Sequence, residues 1–269
     1  MQAAETMPDI RELHLFDSCL TLGRGVLKGC PEWVTAGNVL ALMDRYDIAE
    51  ALVHEAHARV TYPREDGNRR LLETLTEIGS DRLHPAWVIE PPKQPGAAAA
   101  EARVTEMLGA GVRAARLPMK FLPPHPWLWD DLCAALEGHR VPCFLDFGKE
   151  TTWGDMSSTD VDGVRDIALA HPDLPIVLSF VFGGLGVHPA VVPMIQRVPN
   201  IHIDVQGILE FWREVARDAG PERVLFSTGA PFTDPGLYVS NVQYARHLDE
   251  AAKRRICGDN LRRLLEGVR

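Results

Sequence analysis

Glu55 and His57 stand two residues apart in the run HEAH, a spacing that puts both on one side of an extended chain and His54 on the other. A carboxylate beside an imidazole is the arrangement of a tuned general base. The plainer reading is a polar strand end. Asp146 lies in the otherwise apolar run FLDFG, where a buried carboxylate is costly unless it is paired or functional. Lys149 and Glu150 follow it, so an ion pair at the strand end is the structural alternative. Arg116 and Lys120, four apart in RLPMK, fall on the same side of an extended segment. Both suit an anion, Arg116 through a guanidinium fork that matches a carboxylate. Cys19 is a nucleophile if a neighbouring histidine lowers its pKa and a small apolar filler otherwise. Ser227 and Thr228 carry hydroxyls that bond a ligand without ionising. The chemistry these residues share is proton transfer on a small carboxylated molecule. Asp146, His57, Glu55 and Cys19 are the catalytic candidates, and Arg116, Lys120, Ser227 and Thr228 the binding candidates.

The elements that must position them alternate along the chain. Eight apolar or β-branched runs read as strands: ELHLFDSCL, AEALVHEAH, LHPAWVIE, VRAARLP, VPCFLDF, PIVLSFVF, NIHIDVQ and RVLFSTG. Amphipathic stretches with i, i+3, i+4 apolar spacing lie between them, among them NRRLLETLTEIG, AEARVTEMLGAG, VDGVRDIALAHPD and the closing DEAAKRRICGDNLRRLLEGV. Eight βα units close most economically into a (β/α)8 TIM barrel, with residues 1–269 as one domain. A doubly wound open sheet is the competing arrangement, weakened because no G-x-G-x-x-G follows the first strand. Residues 91–100 and 154–160 read as loops, on the C-terminal face where barrels keep their chemistry. Trp127, Trp129 and Trp153 follow the fourth and fifth strands, where aromatic side chains wall pockets.

Bulk properties narrow the class. With 46% hydrophobic and 24% charged residues the chain is neither disordered nor fibrous. No apolar run reaches the roughly 18 residues that span a bilayer, and MQAAETMPDIRE lacks the basic and apolar regions of a secretory signal. No membrane association and a cytoplasmic location are the expectations. The net charge of -9 with dispersed arginines argues against nucleic acid as a partner. Cys19, Cys30, Cys133, Cys143 and Cys257 are odd in number and contain no C-x-x-C, which suggests reduced thiols.

Six segments then carry a resemblance. FDSCLTLG resembles a first-strand D-x-H-x-H-x-G, GVRAARL a fourth-strand G-V-R-G-x-R-L and VPCFLDFG a fifth-strand P-V-x-x-H-x-G. HPDLPIVLSFVFGG resembles a sixth strand with His before G-G, RVLFSTGAPF an R-V-L-F-G-T-D-x-P-F and ICGDNLRRLL a closing I-x-x-x-N-A-x-R-L. In this order they resemble the amidohydrolase superfamily, and in particular the compact branch that includes pyrone dicarboxylate lactonases and related decarboxylases. The resemblance runs nearly end to end and implies a (β/α)8 barrel. In that family two first-strand histidines, the fifth- and sixth-strand histidines and an eighth-strand aspartate hold one or two divalent metals. The places they correspond to here are Cys19, Thr21, Asp146, Phe180 and Gly229.

Phe180 and Gly229 offer no donor atom and Thr21 is a poor zinc ligand. Cys19 and Asp146 alone are able, and two ligands do not make a zinc site without recruits such as His54 or His57. The resemblance therefore implies the scaffold with a degenerate metal motif, and neither metal nor other cofactor is expected. It also implies Arg116 facing a substrate carboxylate, Phe180 in the floor of the pocket, and association as a homodimer. Metal-independent hydrolase, lactonase, lyase or isomerase chemistry on a small anionic molecule is the expected function. An inactive pseudoenzyme that partners another protein is the alternative. A metalloenzyme that uses Cys19, His57 and Asp146 is the second.

Overall fold

Each apolar run forms a strand, as the aliphatic and β-branched content of two-sided burial demands. The structure, a computed structural model, describes residues 9–24, 33–60, 63–119, 121–147, 160–179, 182–183, 186–187, 189–208 and 212–269. In chain order the barrel strands are β1 (Leu15–Arg24), β2 (Ile48–Glu55), β3 (Leu83–Pro85 continued by Trp87–Val88), β4 (Ala115–Leu117), β5 (Cys143–Asp146), β6 (Ile176–Ser179), β7 (Ile201–Asp204) and β8 (Val224–Leu225). Neighbours pair in parallel in that order. The two parts of β3 join the halves of the sheet, because Ala86 N donates to Val53 O of β2 and Trp87 N to Ala114 O before β4. The ring closes between β1 and the end of β8, where Ser18 N donates to Phe226 O at 3.0 Å, Gly229 N to Cys19 O at 3.1 Å and Thr21 N to Ala230 O at 2.9 Å. The eight-stranded parallel barrel follows from these bonds.

The register of β1 against β2 slips between Asp17 and Leu20, the mark of a bulge. The Asp17 carboxylate secures it, accepting from Cys19 N at 2.9 Å, from Thr228 N at 3.1 Å and from the Thr228 hydroxyl. Inside the barrel Phe16, Leu52, Ala86, Ala114, Phe144, Val177 and Leu225 pack with Leu261 and Leu264 of the final helix, Asn260–Glu266, as an apolar plug. A second and larger core lies between the outer strand faces and the helices.

Most amphipathic stretches are helices where the spacing predicts them. The segment 91–100 is a correction: the helix Ala97–Gly109 begins inside it, because AAAAEA is a strong helix former preceded by Gly96. Residues 154–159 of the other expected loop lie outside the described residues. The helices Ala56–Val60 and Pro235–Gln243 are additional, the latter begun by Asp234 as cap and Pro235 as first residue. No helix among the described residues is long and apolar enough to cross a membrane.

Candidate active site

Side chains two apart on a strand share a face, so the layer above the apolar plug, toward the C-terminal end, is dictated residue by residue. Two positions after Phe16, Leu52, Phe144, Val177 and Leu225 come Ser18, His54, Asp146, Ser179 and Ser227, and two after Ala114 comes Arg116. Asp204 joins them through the register of β7 on β6, with His202 opposite Val177 and Ile203 opposite Leu178. All are buried. The interior changes from hydrocarbon to hydroxyl, imidazole, carboxylate and guanidinium within one step along six of the strands.

Arg59 enters this layer from the helix Ala56–Val60, which turns directly off the end of β2. It forks onto Asp146 with Nε 2.7 Å from Oδ2 and Nη2 2.8 Å from Oδ1, the geometry in which guanidinium and carboxylate bind most strongly. Arg116 reaches the same carboxylate, its Nη1 3.7 Å from Oδ2, while its Nη2 donates to Ser18 O at 2.6 Å. Its guanidinium lies 5.0 Å above the ring of Phe144, a cation over an aromatic face. The two arginines are only 5% and 1% exposed, so their charges act in a medium of low dielectric and their effect reaches every neighbour.

His54 Nε2 lies 3.2 Å from Thr21 Oγ1 and 3.5 Å from Arg59 Nη1. Burial, reinforced by the charges of Arg116 and Arg59, holds its pKa well below the ordinary histidine value, so the imidazole is neutral. Burial pushes the Cys19 thiol up to about 12 against the opposing pull of Arg116 and Arg59, and it is therefore packed as a thiol. Two carboxyls move the same way. Burial raises Asp204 to about 7, although Ser179, Arg116 and the Gln206 amide favour its charged form. Asp17 rises to about 6 for the same reason, against its bonds to Thr228 and Cys19.

The amidohydrolase family profile matches residues 35–267, most of the barrel and its helices. The chain belongs to the amidohydrolase family. Among solved structures, 5-carboxyvanillate decarboxylase from Sphingomonas paucimobilis superposes with a TM-score of 0.69 at 16% identity, covering 94% of this chain and 99% of that one. A candidate 2-pyrone-4,6-dicarboxylic acid hydrolase from Pseudomonas putida gives 0.63 at 17% identity over 95% and 98%. A dihydroxybenzoic acid decarboxylase from Polaromonas sp., solved with bound manganese and 2-nitroresorcinol, gives 0.62 at 16% identity over 87% of each chain. At such identities the likeness carries the fold. No curated protein matches the chain.

Within this amidohydrolase barrel the sequence-predicted residues separate. Asp146 and Arg116 meet, and Cys19 and Ser227 are buried with them. Glu55 and His57 do not share a strand face: β2 ends at Glu55, and His57 is already helical. Glu55 instead caps that helix, its Oε2 accepting from Ala58 N at 2.8 Å with Arg70 Nη2 3.5 Å from Oε1. It is packed against Gly67, where a Cβ would stand 2.6 Å from Oε2. His54, expected on the opposite side, is the imidazole that reaches the polar layer. Thr228 is engaged in closing the barrel through Asp17 and also accepts from Ala230 N at 3.2 Å. Lys120, Phe180, Lys149 and Trp153 lie outside the described residues. Trp129 is buried and donates to Pro123 O, whereas Trp127 is 80% exposed and stacked on His125.

Among the described residues no three or more His, Cys, Asp or Glu side chains are grouped to hold an ion. Gly229 has a φ of +68°, and a Cβ there would collide with the side-chain amide of Gln206. The space a side chain at residue 229 would take is thus filled by Gln206, two residues beyond β7. Sequence reasoning missed Arg59, Asp204, Ser179 and Ser18. Ser179 and Ser18 were accessible by counting two onward from Val177 and Phe16; Asp204, two after His202, and Arg59 had no such signal.

Proposed function

We propose that this amidohydrolase-family chain is a metal-independent enzyme that binds a small carboxylated molecule at the C-terminal end of the barrel and acts on it by acid/base chemistry. The observation that supports it is the convergence of two buried guanidinium groups, Arg59 and Arg116, on the single carboxylate of Asp146. A buried cation is costly unless every donor it carries is met. Arg116 Nε and Nη1 are buried without a hydrogen-bond partner among the described residues. Such donors each cost about 1–3 kcal/mol if left unmet. A carboxylate supplies both charge and acceptors.

In this reading Arg116 holds the ligand's carboxylate, and Arg59 fixes Asp146 in one orientation. Neutral His54 and the hydroxyl of Ser227 belong to the same buried polar layer. The donor set favours this over metal chemistry: Asp146 is forked by Arg59, and the space a side chain at residue 229 would take is filled by Gln206. Hydrolysis of an activated bond, lactone opening, or a lyase or isomerase step all fit such groups. The carboxylated substrates named for the decarboxylases of similar fold agree with the choice of ligand class.

The test is turnover of a panel of aromatic carboxylates and carboxylated lactones by protein treated with a chelator, with metal content measured in parallel. Undiminished turnover and far less than one equivalent of zinc or manganese are expected. Activity lost on chelation and restored by zinc or manganese overturns the reading. No turnover by any preparation, together with tight binding of a carboxylate, favours the pseudoenzyme.

A further inference from the structure

Asp146, Ser179 and Asp204 are the last residues of three consecutive strands, so a second carboxyl stands two strands away from the one that Arg59 holds. The environments of the two differ. Asp146 is forked by a guanidinium, whereas among the described residues Asp204 receives hydroxyl and backbone amide donors: Ser179 Oγ donates to Oδ2 and Gln206 N to Oδ1 at 3.1 Å. Among the described residues no lysine or arginine pairs with it. The ionisable groups whose fields reach it are Arg116 from β4, Asp146 from β5, the Cys19 thiol from β1 and the Tyr238 hydroxyl from the helix Pro235–Gln243. Asp204 is fully buried. A second observation points to a ligand beside it: Arg116, 1% exposed, has two donors with no partner among the described residues.

We infer that Asp204 is the proton-holding residue of the ligand site, keeping its proton while a carboxylate binds against Arg116 and passing that proton to the ligand during turnover. This rests on the reading of the preceding subsection. In the transfer the O–H bond of Asp204 breaks and a bond forms from the proton to a basic atom of the ligand. The electron pair stays on Asp204 as a carboxylate, stabilised by the Ser179 hydroxyl and the Gln206 N–H. Solvent protons restore the acid after product leaves. An added anion near Asp204 disfavours its charged form, and so binding itself draws a proton in. Carboxyls kept neutral by burial near physiological pH are the groups able to act as acids there.

The experiment is calorimetric titration with benzoate and 2-hydroxybenzoate in buffers of different ionisation enthalpy, near the Asp204 value of about 7. Wild-type protein is expected to take up a fraction of a proton on binding. Asp204→Asn should bind within about threefold of wild type, since no donor to the carboxylate is lost, but without that uptake. Binding by Asp204→Asn with unchanged proton uptake overturns the assignment and leaves the ligand site standing. Failure of both carboxylates to bind wild-type protein, or equal affinity in Arg116→Met, overturns the ligand site itself and the assignment with it. If Asp204→Asn does not fold, Ser179→Ala decides. Loss of its donated hydrogen bond should move the pH of half-uptake upward, and an unmoved midpoint overturns the inference.

Discussion

Two guanidinium groups share one carboxylate inside the barrel, and that sharing governs what single substitutions do. Asp146→Leu leaves the buried guanidinium groups of Arg59 and Arg116 without the carboxylate they share. The expected loss is about 3–5 kcal/mol of stability, the scale for a buried charge left uncompensated. Arg59→Met leaves Asp146 facing Arg116 at 3.7 Å and should cost less. Urea denaturation of the two variants checks this; equal instability would show that the shared carboxylate is not the origin of the effect. Cys19 offers a prediction of a different kind. A thiol pushed up to about 12 by burial presents almost no thiolate at neutral pH. Iodoacetamide should leave Cys19 unmodified in native protein and alkylate it only after unfolding, as peptide mass mapping would reveal.

At the scale of elements, one carboxylate fastens the first strand to the last. Asp17 accepts three hydrogen bonds, two of them across the seam from Thr228, 211 residues away, yet burial still raises it from 3.8 to about 6. A raised acid favours the folded state while it is protonated. Its contribution is complete below pH 3.8 and is lost as pH rises through about 6. Each tenfold in proton affinity is worth about 1.4 kcal/mol, giving about 3 kcal/mol across that window. Asp17→Asn keeps acceptors for both backbone donors and has no charge to bury. Its stability relative to wild type should therefore improve as pH rises from about 4 to about 7. Denaturation at several pH values would refute the idea if the difference stayed flat. The contrast between strands and seam also shows what the sequence can reveal. All eight strands are legible because each is a local apolar run, and the alternation places Asp146 and Arg116 inward. Asp17 with Thr228 is a contact between chain ends that no local pattern announces. Arg59 hides in a five-residue helix where HEAH reads as continuing strand, and this error of one element turned Glu55 and His57 into a pair and set His54 aside.

For the whole molecule the question is what holds the barrel mouth together when no ligand is bound. The folded chain keeps a carboxylate and two arginines in contact through fixed protein bonds, and on the metal-independent reading proposed above its stability needs no bridging ion. Dialysis against a chelator should leave the melting temperature unchanged, and added zinc should not raise it. A carboxylate that binds only the native state stabilises it by about 2.7 kcal/mol at a hundred times its dissociation constant. For a chain of this size that corresponds to a rise of roughly 5 °C or more. Benzoate or 2-hydroxybenzoate should give such a rise in wild-type protein, and the rise should disappear in Arg116→Met while its melting temperature without ligand stays measurable. The two perturbations separate the alternatives, because a metal-dependent barrel would respond to the chelator and a carboxylate site to the anion. A melting temperature that falls on chelation and returns with zinc would mean that the donor set is completed by residues beyond those in the polar layer, and that the arginines neutralise a substrate in the presence of an ion instead of in its place.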